Sequence, residues 1–116
     1  MLAGARGAAL NVLHVCGPDA RVVELARYPV GAVSWNPRLP GNPDLGAFLA
    51  AVPARGAIGG FSDEAFLSRS TALAKREAAH GLMQTGGKRW IAAGGCTIPV
   101  ESRSDSIDAA RDALSG

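Results

Sequence analysis

Leu10-Asn11-Val12-Leu13-His14-Val15-Cys16-Gly17-Pro18 is the stretch whose reading decides the fold. It is a short, largely apolar run closed by glycine and proline, which reads as a strand over 10–16. Proline suits the first turn of a helix, because its missing N–H has no partner there anyway, and a short helix is expected over 19–26. Alternation along the strand sends Val12, His14 and Cys16 to one face and Leu13 and Val15 to the other. A strand leading directly into a helix is one β/α unit, and a parallel sheet needs several of them side by side.

Three more units follow. A strand is expected over 30–35, then a proline-rich loop in which Asn42 and Pro43 supply the N-cap and first turn of a helix burying Leu45, Phe48, Leu49 and Val52. Pro53 ends that helix. A brief third strand over 57–61 leads to one long helix, capped by Ser62 or Asp63, on which Phe66, Ser70, Leu73, Ala74, Glu77 and Gly81 recur at helical spacing. Gly86 and Gly87 stop it. The fourth strand, over 90–96, precedes a loop with Pro99 and a last helix with Ile107, Ala110 and Leu114 on one side.

Four consecutive β/α units in 116 residues define an α/β fold with half the complement of a TIM (β/α)8 barrel. Residues 1–6 read as the last turn of an earlier helix and Gly7 as its cap, so the expectation is one partial barrel domain over 1–116, the C-terminal half of the parent fold. Four strands cannot close, and the open edges need a partner. A missing N-terminal half-barrel, a second subunit and a homodimer all remain open.

His14 and Cys16, two residues apart on a strand, have Cα atoms roughly 6.6 Å apart, within reach of one ion. Cys96 lies 80 residues later, also at a strand's C-terminal end, the rim where barrel enzymes assemble their sites. One nitrogen and two sulfurs with an open fourth position is how catalytic zinc is held. The competing readings are two unrelated buried thiols with a hydrogen-bonded core histidine, or a disulfide.

The residues resemble a family across nearly the whole chain. Leu13-His14-Val15-Cys16-Gly17, Val33-Ser34-Trp35-Asn36, Ile58-Gly59-Gly60 and Gly94-Gly95-Cys96-Thr97-Ile98-Pro99 look like the C-terminal half of the uroporphyrinogen decarboxylase superfamily. Within it, His14, Cys16 and Cys96 resemble the zinc ligands of the corrinoid-dependent methyltransferase branch, of the methylcobalamin:coenzyme M type. The resemblance implies zinc-dependent transfer of a methyl group from a corrinoid (methylcobalamin) to a thiol, completed by the missing half-barrel or a partner, with a corrinoid protein as a further partner. It assigns no separate catalytic residue. Two positions depart from the family: Gly95 stands where the true decarboxylases carry a histidine, and Asn36 where an acidic residue often follows the tryptophan. The alternatives are a decarboxylase-like protein acting without metal and a noncatalytic fragment or subunit of the fold.

Trp35, Asn36 and Arg38 lie near the same rim and are candidate substrate contacts, against the plainer readings of a packed tryptophan and a solvated arginine. His80, among Lys75, Arg76 and Glu77, reads as a surface residue. Twelve basic and ten acidic residues, net charge +2, are spread along the chain, so no basic patch points to nucleic acid. There is no apolar run of membrane-spanning length and no leader pattern in 1–7, which implies a cytoplasmic protein with thiols kept reduced. A P-loop, a dinucleotide motif and a Ser-His-Asp triad are all lacking.

Overall fold

The apolar runs become four strands: Val12–His14 (β1), Ala32–Ser34 (β2), Gly56–Gly60 (β3) and Trp90–Ala93 (β4). Between and after them lie five helices: Val22–Leu25 (α1), Leu45–Ala51 (α2), Asp63–Leu67 (α3), Ala72–Thr85 (α4) and Ser104–Ser115 (α5). The computed structural model describes residues 7–115; the helix turn expected over 1–6 lies outside them.

All pairings are parallel and the strand order is β1-β2-β3-β4. Parallel crossovers between sequential neighbours, as a rule right-handed, put their helices on one side of a sheet, and the packing agrees. Leu13, Val15, Val33, Trp35 and Ala57 gather with Val22, Ala26, Leu45, Phe48 and Leu49 in one apolar cluster. A second cluster joins Phe61, Ala65, Phe66, Ala74, Ala78 and Ala110, with Ala92 packed against it. Residues of the other parity fare differently: Val12 and Ile91, which share a face by register, are 46% and 52% exposed. One covered face and one bare face are compatible with half a β/α barrel, whose inner surface would be the bare one.

Four local expectations are corrected. Asp44, not Asn42, caps α2, its carboxylate accepting from the Ala47 N–H at 2.7 Å. Asn42 ties loops instead, accepting from the Ala20 N–H and donating to the carbonyls of Gly17 and Asn36. The long helix is two, α3 and α4, because between them the hydroxyls of Ser68 and Ser70 take the backbone N–H groups of Ser70 and Ala72 and compete with helical bonding. Ser62 caps α3 as expected, and Gly86, left-handed at φ 65°, closes α4. On α5 the buried side is turned by a residue: Ser106 is fully buried and donates to the Ser68 carbonyl, while Ile107 is exposed. The fourth strand stops at Ala93, so Cys96 sits on the loop beyond it.

Candidate metal centre

β1 and β4 are the two edges of the sheet, three strand spacings or about 14 Å apart. Sheet twist and the loop over 94–96, which leaves β4 and crosses the strand ends, close that distance. As a result His14 Nε2 lies 3.2 Å from Cys16 Sγ and 3.3 Å from Cys96 Sγ. The two sulfurs are 2.7 Å apart. The sequence-predicted ligands are therefore together, with ligand atoms all within 4.8 Å of one another and exposed to solvent on the bare face.

The triangle fits a metal by chemistry, and by size in its nitrogen distances but not in its sulfur pair. Bond lengths to zinc put a nitrogen and a sulfur on one tetrahedral ion about 3.5 Å apart, and two sulfurs about 3.7 Å apart. The nitrogen distances are within a few tenths of an ångström of that. The sulfurs are closer than two thiolates on an ion, yet further apart than the roughly 2.05 Å of a disulfide, and both cysteines are free. At 2.7 Å one thiol donates to the other. That hydrogen bond is the first reason the Cys96 thiol is held above its ordinary pKa; desolvation is the second and the charge of a neighbouring Cys16 thiolate the third.

The histidine is oriented by a residue without any ligand signal of its own. Ser34 is the register partner of His14 across β1 and β2, and its Oγ lies 3.0 Å from His14 Nδ1. The opposite ring nitrogen, Nε2, is thereby left facing the sulfurs.

The candidate substrate contacts part company. Trp35 is fully buried on the helix side, tilted against Phe48 with ring centroids 4.5 Å apart, and its indole N–H donates to the Pro43 carbonyl. It packs the core. Asn36 is half-buried beside the ligand loop, its Oδ1 accepting from the Arg38 N–H and its amide in contact range of Gly95. Arg38 turns to α4: its Nε donates to the Gly60 carbonyl at 3.0 Å and lies 3.5 Å from Glu77 Oε1. The Glu77 carboxylate is buried and also accepts from the N–H and hydroxyl of Ser62. Spacing alone places Glu77 on the inner side of its helix; which cation and hydroxyl it meets depends on the turn after β3. His80 is exposed, beside Gln84.

No protein-family model and no curated protein matches the chain. Among the described residues no helix is long and apolar enough to cross a membrane.

Proposed function

We propose that this chain is the C-terminal half of a TIM-type (β/α)8 barrel of the uroporphyrinogen decarboxylase superfamily. In this reading it carries the zinc ligands of a methyltransferase that moves a methyl group from a corrinoid to a thiol. The observation that carries the reading is the meeting of His14 Nε2, Cys16 Sγ and Cys96 Sγ at the C-terminal ends of parallel strands. One imidazole and two thiolates favour zinc over magnesium or calcium, which prefer oxygen. Three protein ligands leave a position for substrate.

Zinc bound there would act as a Lewis acid, lowering the pKa of a substrate thiol from about 8.5 so that it reacts as a thiolate. A corrinoid, when bound, would supply the methyl group and keep the electron pair of the broken bond, and the thiol proton would be released to solvent. His14, Cys16 and Cys96 hold the metal and move no proton in that step. Gly95, standing where a decarboxylase would have histidine, weighs against decarboxylation. Because Val12, His14 and Ile91 share an open face, the rest of the pocket comes from the other half-barrel, a second subunit or a second copy, and the corrinoid arrives on its own carrier protein.

Elemental analysis of the purified full chain is expected to find about one zinc per chain. A blank, with both thiols freely titratable, rejects the methyltransferase reading and leaves the metal-free or noncatalytic forms of the same fold.

A further inference from the structure

We infer that β2 and the loop directly after it, which contribute no ligand, position the metal centre through Ser34 for the histidine and Asn36 for the distant cysteine. The inference rests on the metal-site reading and deepens it. Ser34 pairs with His14 in register, and Asn36, two residues further on, lies against Gly95 of the ligand loop. Each touches a different arm of the site.

Take the histidine first. A neutral imidazole carries its proton on one nitrogen only, and the nitrogen that ligates must be the bare one. Nδ1, 3.0 Å from Ser34 Oγ, is hydrogen-bonded to a hydroxyl, while Nε2 faces both sulfurs. With Nδ1–H donating to Ser34, the ring is locked in the tautomer that offers Nε2. Without the hydroxyl, ring rotation and the other tautomer compete with binding. Such an outer partner typically contributes 10- to 100-fold in metal affinity.

The cysteine arm works by absence. A Cβ on Gly95 would stand 2.7 Å from Asn36 Nδ2, 2.8 Å from its Cγ and 3.0 Å from its Cβ. Only a residue without a side chain lets the loop lie this close over Asn36. Asn36 is itself held, its Oδ1 accepting from the Arg38 N–H and its carbonyl from the Asn42 amide, so it serves as a fixed rest for the loop. Lifting the loop moves Cys96 Sγ, the one ligand delivered from the far edge of the sheet, while His14 at the end of β1 and Cys16 two residues beyond it stay in place. Gly95 is thus a steric requirement of the third ligand.

The test uses the full chain, zinc competition against a chromophoric chelator, and cobalt(II) as a spectroscopic stand-in. Ser34→Ala is expected to weaken zinc binding by about 10- to 100-fold, with Ser34→Thr, which keeps the hydroxyl, recovering most of it. Gly95→Ala is expected to lose about half of the sulfur-to-cobalt charge-transfer intensity, one thiolate of two, with thermal unfolding of the metal-free chain unchanged. Adding Asn36→Ala to Gly95→Ala, which removes the Nδ2 and Cγ contacts, is expected to restore part of that intensity. Unchanged affinity in Ser34→Ala, or full two-thiolate intensity in Gly95→Ala, overturns the positioning role while leaving the metal site standing. A wild-type chain that binds neither ion ends both.

Discussion

At the scale of single residues, the site depends on the state of two thiols. Cys96 is held above its ordinary pKa chiefly by the hydrogen bond with Cys16, so its thiol keeps a proton to higher pH than an isolated one, and a bound ion must displace that proton. The sign follows: affinity falls as pH drops, by up to about tenfold per unit for each displaced proton, and levels off only above the thiol range. Because the Cys96 value is raised, that levelling comes later than for an isolated thiol. Chelator competition between about pH 6 and about pH 9 checks this; affinity independent of pH would mean that thiolates are not the ligands. The three candidate ligands were legible in the residue string as a histidine and a cysteine two apart, with a second cysteine far along the chain, although β1 ends at His14 and Cys16 lies two residues beyond it. Ser34 was not legible, because a serine in a strand carries no signal until the register sets it opposite His14.

At the scale of elements, the junction of β3, α3 and α4 turns on a carboxylate. Glu77 on α4 accepts from the N–H and hydroxyl of Ser62 and lies beside Arg38, so one buried group fastens the strand end, the cap of α3 and the loop after β2. Hydrogen bonds to a buried charge contribute about 1.5–3 kcal/mol, and unpaired donors cost more than paired ones gain. Glu77→Ala is expected to destabilise by about 2–3 kcal/mol and Glu77→Gln by about 1 kcal/mol. Urea unfolding reads both, and a loss below about 0.5 kcal/mol for the alanine variant would place it with ordinary surface substitutions instead. The break between α3 and α4 shows why helical spacing misled: Phe66 and Ala74 both bury, yet two serines between them offer the backbone competing hydroxyls. The rotation of α5 has a similar origin. Ser106 finds a carbonyl inside, and hydrophobicity alone would have chosen Ile107.

At the scale of the molecule, the sheet has one helix-covered face and one open face, and among the described residues β1 and β4 each pair on one side only. Ile91, 52% exposed, and Val12, 46% exposed, lie on the open face with their backbones at unpaired edges, a combination that favours association. Sedimentation velocity of the full chain is expected to show concentration-dependent self-association. Ile91→Lys is expected to reduce it without lowering the thermal midpoint, since that side chain buries little in the chain by itself. An association unaffected by the lysine would locate the contact elsewhere, on the helical side or at the ends.

The sequence by itself determined the four β/α units, most of the inward core residues and the candidate metal-holding group, because strand alternation, helical spacing and glycine–proline punctuation are local and need no knowledge of neighbours. The meeting of Cys96 with His14 and Cys16 was decided only by the tertiary structure. It takes parallel register, sheet twist and a loop resting over Asn36 to bring opposite edges of one sheet within a few ångströms, and such distances depend on packing between segments that the chain's order keeps far apart.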